Sequence, residues 1–313
     1  MTASYLLRLV CFSLAAFCAL NLVSSALLRL FSGPLIRFAG RMRASSAARL
    51  LFAARIAPSA AALLIVCALC IPSYLWLEPQ SAQEEISGFC IFASALTLAT
   101  ALLSFLRTAR AVTASRQFFT DSQRDAERAS ISGIPVLLID SPRTTALAGI
   151  SHPAIVFSRD IWNALRPDQR RAAVLHEQFH EQSRDNLKRL LLLLAPAFVP
   201  LAGLEKAWKR FAEWAADDHA VAGDRLRSIA LAETLVCVAK IGVSHSHALA
   251  TSLLGEDLEA RIARLLDGTP LAPDARELPW RTLAIAFTPL LALCLRPSTF
   301  DLVHRALEKF THV

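Results

Sequence analysis

The chain has 313 residues, 54% of them apolar and 19% charged, with a formal charge of +7. It is too hydrophobic for an ordinary water-soluble domain and too charged to lie wholly in lipid, so membrane spans plus one aqueous domain are expected. The positive charge does not imply direct nucleic-acid binding: no lysine-rich or aromatic-interleaved stretch is present, and the arginines crowd the ends of apolar runs, as membrane topology requires.

Three apolar runs open the chain, at residues 9–28, 56–77 and 86–106. Each has the ~20 residues that a helix rising ~1.5 Å per residue needs to cross a ~30 Å hydrocarbon layer. The first is long for a signal peptide and reads as an uncleaved span. Arg29, Arg37, Arg41, Arg43, Arg49 and Arg55 separate the first run from the second, whereas Glu78, Glu84 and Glu85 separate the second from the third with no basic residue among them. The positive-inside bias then puts the amino terminus outside a bacterial inner membrane and everything from Arg107 onward in the cytoplasm. The seven cysteines are odd in number and lie mostly inside apolar runs, which argues against a disulfide framework. Cys67 and Cys70 form a CxxC without polar company and read as packing residues.

Residues 107–278 have the mixed composition of a globular domain. Residues 135–140 and Ala154–Ser158 are short β-prone runs, and Pro153 just ahead of the second suits the start of an edge strand. A helix is expected to begin at Pro167 and run through Gln182, followed by a second over 205–221 and others reaching Leu266. Residues 190–204 (LLLLLAPAFVPLAGL) look like a further span, but as a helix they reach only ~22 Å, and Pro196 and Pro200 interrupt them. A dip into the membrane, or a hydrophobic surface, is the better expectation. Residues 279–296 are expected to form a fourth span, with Trp280 at the interface and Arg281 snorkelling, and residues 297–313 a short tail. The expected fold is therefore mainly α: a multi-span helical membrane protein carrying a cytoplasmic α+β domain with a small edge-stranded sheet.

The informative segment is His176-Glu177-Gln178-Phe179-His180. On a helix, a four-residue step sets both imidazoles on one face about a turn apart, the spacing of a tetrahedral zinc site. Glu177 beside the first histidine can take a proton from water acidified by the metal. The bland alternative is two surface histidines on a solvated helix. A catalytic site needs a third ligand, and Glu213, 33 residues after His180, is the candidate. Asp217 lies one turn further along the same face, where it can accept the outer N–H of a ligand histidine. Taken alone, Glu213-Trp214-Ala215-Ala216-Asp217 is an ordinary amphipathic helix fragment. His245 and His247 read as a surface pair or a weak second metal site. His219, two residues after Asp217, is expected to point away from the ligand face, with stabilisation of an oxyanion as the alternative role, and His152 near the expected substrate strand reads similarly.

HEQFH followed by Arg184-Asp185-Asn186, then EWAADDHAV from Glu213, then Glu259-Ala260-Arg261-Ile262-Ala263-Arg264-Leu265-Leu266 together resemble the integral-membrane gluzincins, and among them the BlaR/MecR family of β-lactam sensor-transducer peptidases. Ala148-Gly149 and residues 153–158 are similar to that family's glycine turn and edge strand. The resemblance implies a cytoplasm-facing gluzincin-type endopeptidase in which His176, His180 and Glu213 bind Zn2+, Glu177 is the general base and Asp217 supports a ligand histidine. It also implies that Ala154, Ile155, Val156, Phe157 and Ser158 dock the substrate backbone by β-augmentation. The sensor-transducers carry a large extracellular ligand-binding domain after their last span, whereas this sequence stops at Val313, so β-lactam sensing is not carried over. The expected substrate is a protein at the inner membrane face, such as a transcriptional repressor or a membrane-protein segment. The CAAX-prenyl-protease and heat-shock membrane-protease family, with a role in quality control, is the alternative within proteases. A catalytically silent signalling scaffold is the alternative outside them, and Glu177 argues against it.

Overall fold

A computed structural model describes residues 3–77, 86–124, 126–140, 145–150, 153–241, 251–252 and 257–267. The amino-terminal region is built from α1 (Ala3–Ala39), α2 (Ala44–Ile65), α3 (Ile71–Leu77) and α4 (Gly88–Arg124). A π-helical turn at Val66–Cys70 joins α2 to α3. It ends two residues before Pro72, whose ring nitrogen cannot donate to the carbonyl four residues back. Three helices, Tyr5–Ala39, Ala44–Leu77 and Gly88–Arg124, are long and apolar enough to cross a membrane. α1 packs against both α2 and α4, and a belt of exposed Leu, Val and Phe covers their outer faces. Such a belt suits contact with lipid.

The helices overrun the sequence-predicted spans. α4 is one uninterrupted helix of 37 residues, ~55 Å long, so it outlasts a ~30 Å hydrocarbon layer and leads straight to the sheet. The expected fourth span and the tail after it lie outside the described residues.

The sheet contains β1 (Glu127–Ile131), β2 (Ile134–Ile139), β3 (Thr145–Ala148), β4 (Ala154–Ser158) and the two-residue β5 (Thr251–Ser252), in the order β1-β2-β4-β3-β5. β1 and β2 form a hairpin closed by Ser132 (φ 53) and Gly133 (φ 82), whose paired positive φ values match the twist of the flanking strands. The edge-strand expectation for Ala154–Ser158 is overturned. β4 pairs in parallel with β2 on one side and antiparallel with β3 on the other, and Ile155, Val156, Phe157 and Ser158 are buried. Both of its hydrogen-bonding edges are occupied, so it cannot receive a substrate strand by β-augmentation. The reason is that residues 145–148, not recognised as a strand in the sequence, supply the missing neighbour.

After β4 come α5 (Arg159–Ala164), α6 (Pro167–Gln182), α7 (Asp185–Leu194), α8 (Ala202–Val221), α9 (Arg225–Ile241) and α10 (Leu258–Asp267). Pro167 opens α6, where its missing N–H leaves no bond unmade, and the Arg166 backbone N–H donates to Gln169 Oε1 at 2.9 Å. The inner faces of the sheet, α6 and α9 share one core centred on Phe157, Ile161, Val174, Leu231 and Leu235. A second core joins Ala39, Ala44 and Leu51 of α1 and α2 to Leu204, Trp208 and Phe211 of α8, tying the domain to one end of the apolar bundle.

Residues 190–204 do not form a span. α7 stops at Leu194, and the chain continues without regular structure until α8 begins at Ala202. The freed Pro196 carbonyl accepts from Ser59 Oγ at 2.9 Å, Asn21 Nδ2 donates to Ser59 Oγ at 3.0 Å, and the Pro200 carbonyl accepts from Arg29 Nη1 at 2.6 Å. Asn21 lies eight residues, ~12 Å along the helix, from Arg29. The segment therefore reaches toward the mid-length of α1 and α2, and polar side chains on those helices satisfy its backbone, the condition under which irregular chain is tolerated at membrane depth. Ser59→Ala should leave the Pro196 carbonyl short of its main donor. A fall of about 1–2 kcal/mol in unfolding free energy in detergent is expected; no change would show that the contact does not hold the segment.

Candidate metal centre

His176, Glu177 and His180 sit in the second half of α6, and all three are fully buried. Their helix lies against α8, which carries Glu213 and Asp217 one turn apart on its buried face. His176 Nε2 is 3.2 Å from His180 Nε2 and 3.4 Å from Glu213 Oε2, and His180 Nε2 is 3.8 Å from Glu213 Oε1. Ligand atoms of His176, His180 and Glu213 all fall within 4.8 Å of one another. Donors ~2.0–2.2 Å from a tetrahedral zinc are themselves ~3.3 Å apart, so the triad has close to the dimensions of such a site.

The groups behind the ligands orient them. Asp185 Oδ2 lies 2.7 Å from His180 Nδ1, and Lys188 Nζ donates to the other Asp185 oxygen at 2.8 Å. Asp217 Oδ1 lies 3.0 Å from His176 Nδ1, a close polar contact whose alignment is poorer than that of the His180 pair. A carboxylate at each Nδ1 favours the proton there, so in the neutral form of each ring Nε2 is a lone pair. Two such lone pairs aimed at each other and at a carboxylate repel unless a cation or a proton stands between them. That donor set fits a divalent metal.

Arg261 of α10 completes the cluster. Its Nε and Nη2 donate to the two Asp217 oxygens at 2.9 and 2.6 Å, and its Nη1 lies 3.1 Å from Glu213 Oε2. The guanidinium thus holds Asp217 bidentately while touching the ligand carboxylate beside it. Burial works against charge on Glu213, but Arg261, His180 and His176 outweigh it and hold that carboxyl well below the usual range. Asp217 is likewise lowered, to about 2, against the effect of burial, by Arg261 and His176. Burial alone would lower His180, yet the Glu213 charge and the Asp185 bond prevail and push it up to about 10. Glu177 is pushed up by burial, against the opposing pull of His176 and His180. Charge balance points the same way. With both imidazoles neutral, as metal ligation requires, and every carboxylate ionised, Glu177, Asp185, Glu213 and Asp217 face Arg261 and Lys188 and leave two negative charges, which one divalent cation would neutralise.

The Arg184-Asp185-Asn186 sequence owes its place to local geometry. Arg184 takes a left-handed conformation (φ 54) that turns the chain from α6 into α7. The turn brings Asp185 back onto His180, and Asn186 Nδ2 donates to the Leu147 and Gly149 carbonyls at 3.0 and 2.8 Å, fastening β3 to the start of α7. Asp185 and Arg261 had no individual role in the sequence reading. An acid five residues after the second histidine was the available signal for Asp185, while nothing local marks Arg261, which is 44 residues from Asp217.

Of the other sequence candidates, Ala154–Ser158 form the central β4 strand rather than an exposed edge. His219 is exposed, with its ring 5.4 Å from Phe179. His152, His245 and His247 lie outside the described residues. A cleft of about 450 Å³ between α2, the α6–α7 turn and α8 adjoins the centre, lined by Arg49, Phe179, Gln182, Asp185, Lys188 and Ala212. A separate cavity of about 1010 Å³ is bordered by Trp162, Arg166 and Glu233 and includes none of the triad. Neither a protein-family model nor a curated protein matches the chain, so the geometry carries the reading of the site.

Asp185→Asn and Asp217→Asn should each weaken zinc binding by about 10–100-fold in a chelator-competition titration, because each removes the charge that orients one imidazole. Unchanged affinity would deny these aspartates that role. Since His180 in the metal-free protein holds its proton up to about pH 10, binding at neutral pH must displace it. Apparent zinc affinity should therefore rise with pH, about tenfold per unit for each proton released, as titrations at pH 6, 7 and 8 would show.

Proposed function

We propose that this chain is a membrane-embedded zinc-dependent endopeptidase that cleaves a protein at the cytoplasmic membrane face, of the kind its motifs resemble in the BlaR/MecR family. The observation that carries the reading is the convergence of His176 Nε2, His180 Nε2 and Glu213 beside a buried glutamate, Glu177, on the same helix. A scaffold role would place no demand on that carboxylate.

Zinc in such a ligand set supplies Lewis acidity, acidifying water and polarising a peptide carbonyl. Glu177, its carboxyl raised by burial, takes the proton from the attacking water and returns it to the departing amine nitrogen. Asp217 and Asp185 orient His176 and His180 from behind so that each Nε2 faces the metal position, and Arg261 restrains Glu213 so that the carboxylate keeps its position as charge develops.

The placement of charge supports the cytoplasmic side. Arg37, Arg41, Arg43 and Arg49 cluster around the α1–α2 junction, the end of the bundle to which α8 is packed. The irregular segment 195–201 supports an active site close to the bilayer, because it joins α7 to α8 while resting on α1 and α2. A repressor or a membrane-protein segment near that surface fits as substrate.

Purified protein should hold about one zinc, and His176→Ala or Glu213→Ala should lose it. Glu177→Gln should retain the metal while cleavage falls by at least ~10³-fold, read by comparing the proteomes of cells carrying each form. A Glu177→Gln protein that cleaved as well as wild type would refute the proposed base, and wild type without metal would refute the centre.

A further inference from the structure

We propose that the groove between α1, α2 and α4 holds one anionic glycerophospholipid, with its phosphate at Arg8. This depends on the three long helices crossing a bilayer and not on the peptidase reading.

The groove is almost wholly apolar, has a volume of about 460 Å³ and follows α1 from Phe12 to Leu27. Its floor is made of small side chains, Ala15, Ala16 and Ala19, and Ala61 and Ala62 of α2 lower one wall. Along α1 it extends ~22 Å, more than the ~15 Å depth of one leaflet's hydrocarbon, so an acyl chain entering from that leaflet fits within it.

Arg8 stands one helical turn beyond Phe12 on the same face of α1. Only 6% of it is exposed, and its Nε and Nη1 have no hydrogen-bond partner among the described residues. Burying a guanidinium with unmet donors is costly, and an oxyanion removes that cost. Among the described residues, α1, α3 and the first half of α4 contain no acidic side chain to do so. Depth identifies the oxyanion. Arg8 and Arg29 are 21 residues apart, ~32 Å along the helix, close to the thickness of the hydrocarbon layer. Arg29 stands at the boundary nearer the metal centre, where it donates to the Pro200 carbonyl. Arg8 is then at the level of the phosphates in the opposite leaflet. Tyr5, Phe12 and Tyr74 cluster beside it with ring centroids 5.1 and 5.8 Å apart, as aromatic side chains do at a bilayer interface. A groove for the chain and a buried cation for the head group together match a phosphodiester lipid bearing a net negative charge.

The test is native mass spectrometry of the full chain in detergent after exposure to dioleoyl phosphatidylglycerol or dioleoyl phosphatidylcholine. Wild type should retain the anionic lipid over the zwitterionic one by about fivefold or more. Arg8→Gln should equalise the two, while Arg8→Lys and the exposed-site control Arg116→Gln keep the preference. Ala19→Phe, which fills the floor, should reduce retention of both lipids, and this holds the proposal to account even if Arg8→Gln does not fold. Equal retention by wild type, an unchanged preference in Arg8→Gln, or a preference lost in Arg116→Gln would overturn it. So would a lipid-free dimer that Ala19→Phe dissociates, since the groove would then belong to a second copy. Zinc content should be the same in every variant, so failure of the lipid site is distinguishable from failure of the metal centre.

Discussion

Two imidazole nitrogens held 3.2 Å apart are the constraint around which the aqueous domain is arranged. Lone pairs do not approach in this way without help. Here each ring is fixed from behind by an aspartate, and the position between the rings is closed by a carboxylate from a different helix. Four buried carboxylates in one region would repel strongly, yet Arg261 and Lys188 take part of that charge, and the His176, His180 and Glu213 group could hold a cation against the remainder. The cluster also explains why α10 belongs to the domain core. Its arginine is buried against α8, and the Leu265 carbonyl accepts from Ser228 Oγ at 2.6 Å, holding it to α9.

The apolar bundle and the domain that carries the His176, His180 and Glu213 group meet in part through chain that is neither helix nor strand. Residues 195–201 would be a liability in lipid if their carbonyls had no donors, and Asn21, Ser59 and Arg29 are polar residues within otherwise apolar helices that provide them. The same segment shortens the path between α7 and α8, so that ligands from α6 and α8 reach one point on one side of the bundle. A continuous helix through 190–204 would have carried Glu213 away from His180.

Much of the candidate site was legible locally. The HExxH spacing needs only 3.6 residues per turn to place His176 and His180 together, and the Glu213–Asp217 step follows the same period. The long apolar runs were legible because their length is set by bilayer thickness. The sheet was read less well. β1 and β3 lack the dense β-branched composition of β2 and β4, and the Ser132-Gly133 turn was not used as a hairpin signal. Missing β3 made β4 look like an edge. Strand neighbours are long-range facts: Leu147 pairs with Ile155, and Asn186, far along the chain, holds the Leu147 and Gly149 carbonyls.

By itself, the sequence determined the residue types that can bind a metal, their spacing along each helix, and the lengths of three segments able to cross a membrane, because each depends on helical rise and pitch alone. Only the tertiary structure decided that α6 and α8 bring their polar faces together, that Asp185 and Arg261 complete the charge balance, and that β4 is interior. Those relations are made across tens of residues, where packing and the pairing of buried charge, rather than any local period, select the partner.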